Sequence, residues 1–506
     1  MKNKQRQNSL LTSTILVATA SLAPIASHAA PLFTAGDLVV SYSVYQGTAS
    51  SITVGQSLPN TSGAVAVASG AYPGVFANDG VDGNFGITSS ILLQDVKAAN
   101  QITAASTPTF NVTAATGITT SFPSKSELAI NLSTDGRTLS LGGYNAPINA
   151  LDRSNANTPG VIDPTNTDTA PATSRSVVTI NANGATTVTN TDNYSGNNLR
   201  AAVAANGVLY TAGNSGNGAK AADSVTTAGS VGAKLLATTG IQAVTPGTGA
   251  SKAAGQYTGA ADGYLLKDNN FRGLTVANNT LYTSKGSGSN GVNTVYQVGT
   301  AGTLPTGGAS ISILPGFATV LGTCTATGCS NYYAPFGLFF ADPKTLYVAD
   351  EGNAGTINDP NAGLEKYSLV NGVWMLDYTL QSGLNLYSSY AVAGYPTALS
   401  PYTTGLRNLT GRVNADGTVS LFAATSTNSA LTDAGADPNQ IVAITDLLSA
   451  TSLPLDESFA TYETAQAGIV YRGVAFAPVP EPTTLALLAV GAIGTAAVRR
   501  RKANRG

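Results

Sequence analysis

Four arginines are the residues best placed to act together. Arg200, Arg272, Arg407 and Arg472 stand at equivalent positions in Leu199-Arg200-Ala201, Phe271-Arg272-Gly273, Leu406-Arg407-Asn408 and Tyr471-Arg472-Gly473. Each lies near the start of a strand-like segment. A guanidinium is a permanently charged planar fork that matches a carboxylate. If the segments line one channel, these forks converge on an anion or carboxylate. The structural alternative is that each arginine holds a carbonyl or an acid between neighbouring elements.

Acids offer less. Asp350-Glu351-Gly352-Asn353 closes a hydrophobic strand, and in a chain short of histidine such carboxylates would carry any acid/base work. Neighbours along a strand face opposite ways, so solvated loop acids are the expectation. Asn78 to Asn84 alternates oxygen donors with glycine, with Asp79, Asp82 and Asn84 as candidate calcium ligands. The closing bidentate glutamate is missing, since Phe85-Gly86-Ile87 follow, and plain turn chemistry suits the same residues. Calcium is the sole cofactor suggested.

The only histidine, His28, falls within the N-terminal export segment. A body without histidine excludes a Ser-His-Asp or Cys-His pair and a His-ligated zinc or iron site. Cys324 and Cys329, the only cysteines, are expected as a local disulfide in an oxidising compartment; a thiol nucleophile there would lack a base. No catalytic motif stands out, so a non-enzymatic protein is expected. A carboxylate-based hydrolase or lyase acting on extracellular sugars or esters is the rival.

The elements that must position these residues recur along the chain. Leu199 to Val203 leads through Asn206-Gly207 to Val208 to Gly213, and Phe271 to Thr275 leads to Thr280 to Ser284. Pro335 to Phe339, Leu406 to Leu409 and Ser126 to Ile130 each open a similar unit, and Tyr471 to Phe476 is a last half-unit. Each unit reads as two antiparallel strands around a polar turn. The spacing is too long for a solenoid coil. An all-β fold, a β-propeller of six or seven blades, is the expectation, with a β-helix or solenoid as the alternative. The isolated strand Gly36 to Tyr45 would pair with the last half-unit and close the ring. Trp374 is expected to pack between blades, a sugar platform being the alternative.

Both termini read as addresses. Lys2, Lys4 and Arg6 precede the apolar run Leu10 to Ile25, and Ser27-His28-Ala29 fits cleavage between Ala29 and Ala30, so residues 1–29 form a signal peptide. At the other end, Leu485 to Val498 is an uncharged run of 14 residues before Arg499-Arg500-Arg501-Lys502. As a helix it spans roughly 21 Å, short of a hydrocarbon core of about 30 Å. The basic stop should stay cytoplasmic. Removing both ends takes eight of the 25 basic residues and one of the 27 acidic ones, leaving 17 and 26, a net charge of −9 in place of −2. Such a surface disfavours nucleic acid.

With Pro480-Glu481-Pro482 ahead of the apolar run and basic stop, residues 479–506 resemble the PEP-CTERM sorting signals read by exosortase in Gram-negative bacteria. The resemblance implies signal peptidase and exosortase as processing enzymes and transient anchoring in the inner membrane. It further implies a cell-surface or extracellular destination and a link to exopolysaccharide or biofilm. The body, residues 30–478, resembles a family of exported bacterial β-propeller-like proteins of unassigned activity. That likeness rests on Gly36 to Val40, Ser126 to Tyr144, Asn197 to Val203 and Leu346 to Asp350.

Overall fold

The computed structural model describes residues 31–48, 51–59, 63–68, 77–78, 82–97, 109–162, 166–214, 241–256, 270–286, 292–322, 332–353, 359–429 and 435–480. The proposed signal peptide and the cysteines Cys324 and Cys329 lie outside them, as does the tail from Glu481 onward. Among the described residues the fold is all-β, with a single short α-helix, Val112–Thr116. None of their helices is long and apolar enough to cross a membrane.

Local chemistry sets the hairpins. Leu199–Ala205 turns into Val208–Gly213 through Asn206 and Gly207, whose φ values are 48° and 76°. Asn371-Gly372 does the same between Gly363–Val370 and Val373–Leu380, with φ of 52° and 82°. Such two-residue turns need two left-handed residues, which asparagine and glycine tolerate best. Their twist matches that of the flanking strands, so each hairpin extends into a meander.

Among the described residues four such four-stranded meanders form blades: 199–253, 274–313, 335–380 and 402–464. The second also accepts the short strand Gly255–Gln256 in parallel. Neighbouring pairs within each meander are antiparallel, which rules out the solenoid. The expected count of six or seven separate blades is corrected to four. Nine of the remaining strands form one sheet, because Ile118–Ser121 pairs with both Thr88–Val96 and Thr138–Asn145 and fuses what would otherwise be distinct units; Ala77–Asn78 and Asp82–Gly86 pair separately. Ring closure is present. Leu38–Val44 pairs antiparallel with Ile469–Phe476, Leu38 opposite Phe476 and Val44 opposite Ile469.

Apolar layers separate successive sheets. Val203, Tyr210, Leu281 and Tyr296 join the first two blades; Tyr347, Leu364, Leu421 and Ile444 join the last two. Trp374 is 5% exposed and packs edge-on against Phe340, 5.8 Å between centroids, within a cluster that also holds Tyr282 of the preceding blade. The strands opening each unit succeed one another in contact: Asn131–Leu132, Leu199–Ala205, Leu274–Ala277, Pro335–Asp342, Tyr402–Val413 and Ile469–Phe476, which touches the first again.

Glycines make that succession tight. A Cβ on Gly273 would lie 1.9 Å from the Phe336 carbonyl, and one on Gly473 would lie 2.7 Å from the Leu128 carbonyl. A serine completes the junction in both places. The Gly273 N–H donates to Ser284 Oγ (2.9 Å), which donates to the Phe336 carbonyl (2.5 Å). The Gly473 N–H donates to Ser41 Oγ (2.9 Å), which donates to the Leu128 carbonyl (2.8 Å). The strand pair made from the two ends of the chain thus uses the same relay as an ordinary blade.

Candidate functional site: a cationic centre on the inner strands

The unit-opening strands carry their arginines inward, and the four are not equivalent. Arg200, Arg272, Arg407 and Arg472 are 3–5% exposed. Arg472 is tied to backbone: its Nη2 donates to the carbonyls of Phe122 and Gly435, the latter at 2.6 Å. Arg200 Nη1 donates to Asn270 Oδ1 and to the Phe271 carbonyl (3.1 Å), while its buried Nε meets no acceptor. Arg407 Nε reaches Glu351 Oε2 at 3.2 Å.

Glu351 is the hub. The loop after Thr345–Asp350 can approach Tyr402–Val413 because of two glycines. A Cβ on Gly352, whose φ is 66°, would lie 2.1 Å from the Thr404 carbonyl, and one on Gly405 would lie 2.3 Å from the Asp350 carbonyl. The expectation of solvated loop acids is therefore corrected: Asp350 is 0% and Glu351 3% exposed. Lys125, in the loop between Ile118–Ser121 and Asn131–Leu132, places Nζ 3.7 Å from Glu351 Oε1. Its side chain is 39% exposed although protein surrounds it, so it occupies a recess open to water.

The fields of this group are unbalanced. Burial pushes the Glu351 carboxyl up, but Lys125, Arg407 and Arg272 outweigh it and hold the value at about 2. Glu351 favours a charged Lys125, yet burial together with Arg407, Arg272 and Arg200 brings the lysine below its ordinary value. Burial, then Arg272, lowers Arg200. Burial also lowers Arg272 and Arg407, with Glu351 opposing it in each. A guanidinium remains charged near neutrality, so the three arginines stay cationic despite burial.

A second carboxylate borders the centre and favours the charged form of Arg200. Glu127, 2% exposed, accepts from Thr120 Oγ1 (2.8 Å), the Ser121 N–H (3.1 Å), Tyr144 OH (2.5 Å) and Asn198 Nδ2 (2.6 Å). Its oxygens are occupied. Asp350 faces away from the cations, as neighbours on a strand should. It accepts from the Ala334 and Gly352 N–H groups, both at 2.7 Å, and burial with Glu365 and Asp359 raises it well above the carboxylate range. Burial pushes Glu365 itself up to about 8, despite the hydroxyls of Tyr333 and Tyr367.

The sequence reading missed Lys125 and the role of Glu351. Lys125 was visible as one of few basic residues in the body, standing just before Ser126 to Ile130, which like Pro335 to Phe339 opens a unit without arginine. Of the candidate calcium ligands, Asp79 lies outside the described residues, and Asp82 and Asn84 lie on the strand Asp82–Gly86. Among the described residues no group of three or more His, Cys, Asp or Glu is placed to hold a metal.

Residues 478–502 match the PEP-CTERM protein-sorting motif. The motif marks an exosortase-sorted protein whose destination is the cell surface or the extracellular space. No curated protein matches the chain. Among solved structures, a GH74 enzyme of Niastella koreensis aligns with a TM-score of 0.32 at 11% identity, over 74% of this chain and 44% of that one. The chain thus spans under half of that enzyme's length. The hemagglutinin-neuraminidase of Parainfluenza Virus 5 gives 0.31 at 12% identity, over 77% and 84% of the two chains. A GH43 protein of Bacillus licheniformis gives 0.29 at 10% identity, over 70% and 58%. Likenesses this distant say nothing of activity.

Proposed function

We propose that this exported, exosortase-sorted chain is a non-enzymatic binding or scaffold protein of the cell surface or matrix, holding a carboxylate-bearing saccharide at its cationic centre. One observation carries the reading. Lys125 Nζ and Arg407 Nε converge on the one carboxylate of Glu351, at 3.7 and 3.2 Å, with Lys125 39% exposed while Glu351 and Arg407 are buried. The centre holds more cation than its own acid neutralises, and the recessed lysine gives a ligand access to it. The processed body is acidic overall, so extended polyanions are repelled while a single carboxylate entering the recess is attracted. An exopolysaccharide with sparse acidic sugars matches both conditions and the sorting route. The tail would hold the chain in the inner membrane until exosortase acts near Pro480-Glu481-Pro482.

A glycan array followed by calorimetry on the full chain, with and without calcium, tests this. Carboxylate-bearing saccharides should bind, and more weakly as salt rises. Lys125→Met should weaken binding about tenfold, ~1.4 kcal/mol, whereas Glu351→Gln should tighten it by unmasking the cations. Preference for neutral sugars, or affinity indifferent to Lys125→Met, would overturn the reading. The rival hydrolase or lyase reading is favoured by one feature, the buried carboxyls Asp350 and Glu365 whose proton affinities are raised. Turnover of glycosides or esters abolished by Asp350→Asn would install it instead.

A further inference from the structure

A second group of titratable side chains joins the 335–380 and 402–464 blades. Lys366, on Gly363–Val370, places Nζ 2.8 Å from Oδ2 of Asp446, on Gln440–Leu447, and neither side chain has any solvent exposure. Tyr347 OH donates to Asp446 Oδ2 (2.5 Å) and Tyr378 OH to Oδ1 (2.6 Å). The lysine also donates to Tyr378 OH (3.0 Å) and to the Leu447 carbonyl (2.7 Å), and it lies 5.6 and 5.2 Å from the centroids of Tyr347 and Tyr378.

A third carboxyl completes the group. Glu457 is half-buried and accepts at 3.1 Å from the N–H of Leu447, the residue after Asp446. Its Oε2 is buried and meets no donor. Burial, then Asp446, pushes Glu457 up to about 7, so it exchanges a proton near neutrality.

We propose that Lys366 and Asp446 condense into an intramolecular amide that makes this contact between blades covalent. The reacting amine and acid form when one proton moves along the 2.8 Å contact from Nζ to Oδ2. The Nζ lone pair attacks Cγ of Asp446 and a C–N bond forms. Tyr347 and Tyr378 donate to the oxygens on which charge develops. Glu457 takes a proton from the nitrogen and delivers one to the departing hydroxyl. The C–O bond breaks and one water leaves; nothing is oxidised or reduced. Fixed contact at hydrogen-bonding distance replaces the activation that a free amine and acid would need. For a protein exported to the cell surface or beyond, the product is a protease-resistant staple in place of a screened or protonatable ion pair.

Peptide mapping of the folded full chain by mass spectrometry decides the matter. Trypsin should fail to cut after Lys366, and residues 345–407 and 413–472 should appear as one branched species, lighter by one water than the two together. Lys366→Arg keeps the charge and should abolish the branch. Glu457→Gln should abolish or slow it in protein that still unfolds cooperatively, separating proton transfer from folding. Wild-type protein with a cooperative unfolding transition that yields residues 345–366 as a separate peptide, with no branched species, overturns the proposal. A branch that forms equally well in Glu457→Gln overturns the role of Glu457.

Discussion

Glu351 and Glu365 show how side chains in adjoining strands acquire opposite proton affinities. Glu351 faces cations and sits at about 2, below its ordinary 4.5; Glu365 faces tyrosines and Asp359 and sits at about 8, above the same reference. The folded state holds fewer protons than the unfolded chain at Glu351, so that contribution is complete above pH 4.5 and is lost as pH falls toward 2. Glu351→Gln should lower stability at pH 7 by on the order of 3 kcal/mol, with the deficit shrinking in acid. At Glu365 the folded state holds more protons, so stability declines as pH rises from 4.5 through 8. Glu365→Gln should leave the melting temperature unchanged at pH 4 and raise it at pH 9, measured by calorimetry. A variant no more stable than wild type at pH 9 would mean that Glu365 is ionised without penalty. The arginine positions were legible in the sequence because strands repeat their pattern. The hub was not: Glu351 and Arg407 are 56 residues apart, and only the fold joins them.

At the scale of elements, the centre exists because unit-opening strands approach one another more closely than a Cβ would permit. Gly352→Ala combines a left-handed φ of 66° with a contact of 2.1 Å to the Thr404 carbonyl. The strain of placing alanine there is about 1 kcal/mol for the backbone alone, and the overlap adds to it. Denaturant titration should show a lower midpoint, with a shift beyond that of Gly417→Ala, which also has positive φ (84°) but nothing within 4 Å of its Cβ. Equal shifts would mean that packing at the junction is loose. The hairpin turns were readable from Asn-Gly pairs, since turn geometry is a property of two residues. The glycines at the junctions read only as strand punctuation, because the carbonyl each one clears belongs to the next unit.

For the whole molecule, Leu38–Val44 lies between Thr88–Val96 and Ile469–Phe476 and pairs with both. Deleting residues 31–47 should expose two strand edges. The expected outcome is loss of the single unfolding transition and concentration-dependent association by light scattering. A monomer that unfolds cooperatively without this strand would show that closure is dispensable. By itself the sequence determined the route of the chain, the all-β character, the ring closure and the repeated arginines. Sorting signals are linear, and strand and turn preferences arise from neighbours a few residues apart. Only the tertiary structure decided that the blades number four beside a fused nine-stranded sheet, that Glu351 gathers the cations, and that Lys366 meets Asp446. Those outcomes depend on burial and on distances between residues far apart in the chain, and both are set only when the sheets pack.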